Sequence, residues 1–266
     1  MEPIFIIEKD CHDIKNYTKI GEIANSKGCE VHIIESINTE FPERHNKFGK
    51  SPVVVLGNKN MVLDIYRESW FLPAVWFDYE AFQVSEYTKS LALEYFCQNP
   101  YAFISSAHLD KFKAFGDLVF VKPNSPISNE ISKIYCPNMG NPYHDDNKDL
   151  EPFKVLVAPI IKIFQEVRCI VHNGVIITHS PYNNHSDCYE LPELAHIIAE
   201  EMSDILSEIS VEVPLFVMDL VLTDDKWKLL EINCINCSGF YSCNLQAITE
   251  AMIKQSKIDF EEIFNG

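Results

Sequence analysis

The chain has 266 residues, 47% of them hydrophobic, and a formal net charge of -17. Enough apolar residues are present to bury a substantial core in one large or two small domains, which excludes disorder as the starting expectation. The negative charge opposes the electrostatic footprint with which proteins follow a phosphate backbone or an anionic membrane, so neither nucleic acid nor a membrane is an expected partner. Nine cysteines, an odd number at irregular spacing, and a Met1–Asp10 start with no basic region or long apolar stretch point to a reducing, cytoplasmic setting. No apolar run approaches the ~20 residues needed to span a bilayer, because Lys154, Lys162 and Glu166 interrupt the most apolar region.

In chain order, Ile4–Ile7 reads as a short buried strand, Asp13–Lys27 as a helix stopping at Gly28, and Val31–Ile34 and Val53–Leu56 as further strands. Alternating strand and helix predict a small α/β unit with a parallel sheet over residues 1–84. No glycine-rich fingerprint follows any of these strands, so a dinucleotide site is not expected. The aromatic stretch Trp70–Phe82 reads as core or as an interdomain surface. Ser85–Gln98 reads as a helix capped by Ser85, and Leu118–Pro123 as a strand ending in Lys122.

Residues Asn124–Asp149 are polar and long for a connection in a compact domain, which suits a mobile cover or a solvated insertion. Phe153–Pro159, Gln165–His172 and Val175–His179 follow as strands, with His172-Asn-Gly174 as a tight hairpin turn. Pro192–Ser210 has the spacing of an amphipathic helix. Strands Leu215–Leu222 and Trp227–Asn233 flank a turn at Thr223–Lys226, and Leu245–Ser256 closes the chain as a helix. The division expected is an N-terminal unit, 1–84, and a larger α+β unit, 85–266, with subdomains of about 85–152 and 153–266.

The chemistry is most legible in the last hairpin. A turn centred on Asp225 places Asp219 across from Glu231, and period-two alternation puts Asn233 on the same face as Glu231. Two carboxylates facing each other on apolar strands are costly unless a cation lies between them. Two carboxylates and an amide form an all-oxygen set that suits Mg2+, which completes its shell with water and nucleotide phosphates. The alternatives are that one carboxylate is protonated or that the strand is an exposed edge.

These residues, Phe216-Val-Met-Asp-Leu-Val221 followed by Leu230-Glu-Ile-Asn233, resemble the closing metal motif of the ATP-grasp superfamily. Val119-Phe-Val-Lys-Pro123 resembles its strand with a phosphate-contacting lysine. Lys154-Val-Leu-Val-Ala-Pro159 resembles its adenine hinge, and Glu166–Ile177 the hairpin with a phosphate-facing arginine. The trailing Asn233–Tyr241 most resembles a clade of small phage and bacterial proteins in which an arginine and two lysines surround the triphosphate. Together the motifs span roughly residues 85 to 255.

The resemblance implies an ATP-grasp fold whose two α+β subdomains grip ATP. It implies Mg2+ on Asp219, Glu231 and Asn233, and nucleotide contacts from Lys122, Lys133, Lys154, Val155, Leu156, Val157, Glu166 and Arg168. Lys122 and Arg168 are the implied catalytic cations, with the guanidinium suited to bidentate contact and the ammonium acting as a point charge. Glu166 either contacts nucleotide or orients Arg168. The chain departs from the clade's usual pattern in carrying Lys122 where an arginine is usual, and in placing Gly140 later than the glycine that usually follows the second lysine.

Cys234, Cys237 and Cys243 lack the fourth ligand of a structural zinc site and read as buried or incidental thiols. Ser238-Gly239 reads as an anion-facing nest or a plain turn, and Asn236 as reaching the metal, the phosphate or neither. The activity implied is an ADP-forming carboxylate–amine ligase that joins an amino acid, a peptide or another small molecule through an acyl phosphate. The alternatives are a small-molecule kinase and a non-catalytic nucleotide-binding module.

Overall fold

In a computed structural model of the chain, the residues described are 1–35, 51–68, 75–126, 132–136, 152–181, 204–209, 211–223 and 226–265. The N-terminal part is a three-stranded parallel sheet in the order β2-β1-β3, with β1 at Ile4–Glu8, β2 at Glu30–Ile34 and β3 at Val53–Leu56. Both β1 and β3 are buried along their whole length, which explains their unbroken apolar runs. Helix α1, Ile14–Ser26, buries Tyr17, Ile20, Gly21 and Ala24 at helical spacing. A Cβ at Gly21 would come within 2.8 Å of the Ile7 side chain, so glycine is what lets this helix approach β1. Helix α2, Lys59–Glu68, follows β3.

The expected helix over Ser85–Gln98 is shorter than its sequence suggests. Helix α3 covers Val84–Ser90, the chain turns extended at Leu91, and Leu93–Tyr95 form one 3-10 turn. Ser85 is inside the helix and is not its cap. The backbone N–H groups of Val84 and Ser85 donate instead to the main-chain and side-chain oxygens of Asn124, at 3.1 and 2.8 Å. The helix start is thus satisfied by the residue that follows the strand bearing Lys122.

Two four-stranded antiparallel sheets complete the chain. One has the order β4-β7-β5-β6, with β4 Ala102–Ser105, β5 Val119–Pro123, β6 Lys133–Tyr135 and β7 Lys154–Pro159. The other has the order β11-β10-β8-β9, with β8 Gln165–His172, β9 Val175–Pro181, β10 Leu215–Thr223 and β11 Lys226–Cys234. Strand β7, which the sequence division puts with the second subdomain, lies between β4 and β5 of the first sheet. Asn173 and Gly174 carry φ of 50° and 73°, as a tight two-residue hairpin turn requires. Helix α4, Leu245–Asn265, runs well past the expected Ser256, and Asn244 accepts at its start from the N–H groups of Gln246 and Ala247.

The second sheet is buried on both faces. Phe216, Met218 and Leu220 join a core with α3 and Phe96, whereas Leu215 and Val217 join one with β1, α1 and α4. Trp76, Phe77 and Phe82 are buried core residues; the expected aromatic stretch before residue 75 lies outside the described residues. Of the expected helix Pro192–Ser210, residues 204–208 are helical, and residues 192–203 and 210 lie outside the described residues. Most of Asn124–Asp149 also lies outside them. Among the described residues no helix is long and apolar enough to cross a membrane.

Candidate active site

Strands β10 and β11 pair Asp219 with Glu231 and Val217 with Asn233. The register shifts once, between Asp219 and Leu220, so that Leu220 faces Leu229 and Leu230 is the extra residue of a bulge. Strand alternation changes phase there. Leu229 and Ile232 both reach the hydrophobic core, and Glu231 and Asn233 are left on the opposite face with Asp219. Asn233 Nδ2 donates to Glu231 Oε1 at 2.8 Å and to Asp219 Oδ2 at 3.2 Å, which brings the three oxygen-bearing groups together.

Each carboxylate has a cation from a neighbouring strand. Arg168 on β8 stands opposite Asp219 and holds it in a fork, with Nε to Oδ1 at 2.8 Å and Nη2 to Oδ2 at 2.7 Å. Its Nη1 donates to the Gly239 carbonyl at 2.8 Å, and its guanidinium lies 5.1 Å from the centre of the Tyr241 ring. Arg168 is therefore anchored on three sides and buried. Lys122, at the end of β5 in the other sheet, forms an ion pair with Glu231.

Electrostatics differ across the pair. Burial pushes Asp219 up to about 6 against the pull of Arg168, because its side chain is fully enclosed. Burial also acts to raise Glu231, but the charge and hydrogen bond of Lys122, helped by Asn233, outweigh it and hold the carboxyl at about 2. Glu166, two residues before Arg168 on β8, is pushed up to about 7 by burial and then by the charges of Asp219 and Glu231. The four acidic and basic groups around Asn233 thus neutralise one another in pairs, with Glu166 held near them.

Beside the hairpin lies a cleft of about 210 Å³, lined among others by Phe82, Tyr87, Lys122, Asn124, Glu231 and Asn233. Asp219 lies behind its wall. The donor set fits a hard cation: Glu231 and Asn233 face the cleft, and all candidate ligands are oxygen atoms. Such an ion would compete with Lys122 and Arg168 for the carboxylates. Among the described residues no three His, Cys, Asp or Glu side chains converge as a metal cluster, so Cys234, Cys237 and Cys243 do not form a zinc set.

Several expected contacts fall elsewhere. Lys133 pairs with Val121, so strand alternation puts it on the face of the first sheet that carries Val119, Val121 and Tyr135, away from Lys122. Val155, Leu156 and Val157 are flanked by β4 on one side and β5 on the other, which commits their backbone groups to the two ladders. Only past Val157, where β4 has ended, does β7 have an edge with backbone groups to offer. Lys154 lies with its ammonium 4.9 Å from the Phe103 ring centre, outside the lining of the cleft.

Two residues matter more than their sequence context suggests. Asn124 closes the start of α3 and also bonds Gln83 and the Lys154 carbonyl, fixing the end of β5 where Lys122 sits. Asn236 is fully buried; it accepts from the Trp76 N–H at 2.9 Å and donates to the Val55 carbonyl at 2.7 Å. It ties the N-terminal sheet to the segment after β11 and reaches neither a metal position nor the cleft. The turn at Ser238-Gly239 gives a carbonyl to Arg168, so it acts here as an acceptor and not as an anion nest. No feature of the sequence marks these long-range partners. Tyr182, Asn183, Asn184 and His185 lie outside the described residues.

Two antiparallel sheets joined at a cleft, with a carboxylate–carboxylate–amide set on the last hairpin and cations reaching in from both sheets, define an ATP-grasp fold. Solved structures agree. D-alanine–D-alanine ligase from Bacillus anthracis matches with a TM-score of 0.62 at 15% identity, over 99% of each chain. The form of that enzyme complexed with ATP matches with a TM-score of 0.59 at 16% identity, over 99% of this chain and all of that one. The ATP-grasp ligase PsnB, complexed with a minimal precursor, Mg and ADP, matches with a TM-score of 0.57 at 13% identity, over 96% of this chain and 97% of that one. No curated protein matches by sequence. Residues 65–252 match the ATP-grasp domain of family 3 in the clade named for its one arginine and two lysines, and the chain belongs to that family.

Proposed function

We propose that the chain is an ADP-forming, Mg-ATP-dependent carboxylate–amine ligase working in the cytoplasm on an amino acid or peptide. The observation that carries this reading is the meeting of Asp219, Glu231 and Asn233 with Arg168 and Lys122 at one cleft. Similar folds in a D-alanine–D-alanine ligase and in PsnB with its precursor support it. In this reading the N-terminal unit, 1–84, shapes the acceptor side and residues 85–266 grip the nucleotide.

Magnesium held by Glu231 and Asn233, with Asp219 behind them, supplies charge neutralisation for the triphosphate. A substrate carboxylate oxygen attacks the γ-phosphorus and ADP leaves. The amine nitrogen then attacks the acyl carbon, phosphate departs, and the amide loses a proton. The residues' part is electrostatic and positional: Lys122 neutralises phosphate charge, Arg168 keeps Asp219 ionised and oriented, and closure removes the entropic cost of bringing two reactants together. The backbone beyond Val157 is the edge on which adenine rests.

Incubating the protein with ATP, magnesium and a pool of amino acids and peptides, then reading products by mass spectrometry, tests the proposal. ADP release with a condensation product supports it. A phosphorylated acceptor in place of an amide makes the protein a kinase, and no turnover with intact Mg-ATP binding makes it a nucleotide-binding module.

A further inference from the structure

The segment between the metal-site strand and Tyr241 contains a feature that the proposed ligase chemistry does not use. Cys234 ends β11 and Cys237 ends the 3-10 turn Ile235–Cys237, so the two thiols bracket a single tight turn. At the ~2 Å rise per residue of such a turn, positions three apart are separated by about 6 Å and eclipsed. That separation lies inside the ~4.4–6.8 Å range that a disulfide spans between Cα atoms. The side chains are in contact: the two thiols share a hydrogen bond, and Cys237 Sγ lies 3.9 Å from the Cys234 carbonyl oxygen.

Their exposure is asymmetric. Cys234 is buried, whereas Cys237 is half-buried and offers the approach for a small molecule. The turn is also braced: Ser238 Oγ donates to the Cys234 carbonyl at 2.7 Å, and the Tyr17 hydroxyl donates to the Ser238 carbonyl at 3.0 Å. Asn236, inside the turn, holds Val55 and Trp76, so the pair cannot drift apart without breaking contacts to the N-terminal sheet.

We propose that Cys234 and Cys237 are an oxidisable dithiol that closes to an intramolecular disulfide with a low-molecular-weight disulfide as oxidant. The Cys237 sulfur attacks one sulfur of the oxidant, and the other leaves as a thiolate. Cys234 then attacks Cys237 of the mixed disulfide and expels the second oxidant thiolate. Two protein thiols lose two electrons and two protons in total, and the oxidant is reduced to two thiols. Cys237 is suited to the first step: its thiol is lowered chiefly by the hydrogen bond with Cys234, against burial, and further by the positive charges of Lys59 and Arg168. Because Cys234 directly follows Asn233, closure stiffens the backbone behind the proposed metal ligand. The formation of the disulfide itself does not depend on the ligase reading.

The test is to equilibrate the whole chain with mixtures of reduced and oxidised glutathione, block free thiols by alkylation, and map the peptides by mass spectrometry. The expected result is a Cys234–Cys237 peptide lacking two hydrogens, with neither cysteine alkylated and no retained glutathione. Cys234→Ser is expected to stop at a stable glutathione adduct on Cys237, and Cys237→Ser to leave Cys234 unmodified. The proposal is overturned if wild-type Cys234 and Cys237 remain fully alkylated across the series, if glutathione stays on Cys237, or if either cysteine pairs with Cys11 or Cys243. The wild-type map alone decides the matter should a variant fold poorly.

Discussion

Lys122 of β5 and Glu231 of β11 form an ion pair that joins the two antiparallel sheets of this ATP-grasp protein across its cleft. Lys122 is 13% and Glu231 28% exposed in their side chains, so water screens the pair only in part. Lys122→Met is therefore expected to lower stability by about 1–3 kcal/mol, since it leaves a half-buried carboxylate without its cation. The same change is expected to weaken Mg-ATP binding, because a phosphate-facing charge is lost with it. Urea unfolding and calorimetry measure the two effects. Wild-type nucleotide affinity in a folded Lys122→Met protein would remove this residue from the site.

Asp219 and Arg168 form the more deeply enclosed pair, at 0% and 6% side-chain exposure. Removing either partner strands a buried charge, which costs about 3–5 kcal/mol. Arg168→Lys is expected to retain part of that, because an ammonium cannot reproduce the fork that bonds both Asp219 oxygens and also reaches Gly239. For function, micromolar-class binding of Mg-ATP is expected to disappear in Asp219→Asn and in the less buried Glu231→Gln. Nucleotide binding that needs no metal and is untouched by both changes would argue against the assigned ligands.

The hairpin is the part of the site most legible in the sequence, because two acidic residues at equal distance from a turn must face each other if the strands pair. The bulge at Leu230 is not legible there. It shows only in the need for both Leu229 and Ile232 to reach one core, which a strict alternation starting from Glu231 denies to Leu229. Lys133 lies on the face opposite to the expected one because a single register step on β6 decides its side of the sheet, and three residues give too little alternation to fix that step. The adenine hinge lies later than its sequence match for a related reason: an apolar run does not say where the neighbouring strand ends, and β4 stops opposite Val157. The partnerships of Arg168 with Asp219 and of Asn236 with Val55 join residues 51 and 181 positions apart, far beyond any local pattern.

Asn236 gives a test of how the N-terminal sheet is held. Its amide saturates a buried N–H of Trp76 and a buried carbonyl of Val55 at once. Asn236→Leu keeps the volume and leaves both groups unpaired, at about 1–3 kcal/mol each. Asn236→Asp keeps the acceptor for Trp76, loses the donor to Val55, and adds a buried charge that must be protonated or destabilise. Both variants are expected to melt earlier than wild type, with Trp76 fluorescence altered in the folded state. A leucine variant as stable as wild type would mean that these bonds do not secure the unit.

Glu166 makes the sign of one pH effect explicit. Its folded value, about 7, lies above the ordinary 4.5, because burial and then the charges of Asp219 and Glu231 oppose ionisation. Between those two values the folded chain binds more protons here than the unfolded chain. Stability contributed by this residue is therefore fully present below pH 4.5 and is lost as pH rises through 7. The side chain is only partly enclosed, so solvent screening reduces the effect to the order of 1 kcal/mol. Glu166→Gln is expected to remove that slope, raising stability at pH 8 relative to wild type while changing it little at pH 4. Urea midpoints of both proteins across the range measure it, and parallel curves for the two would show that Glu166 does not titrate in this window.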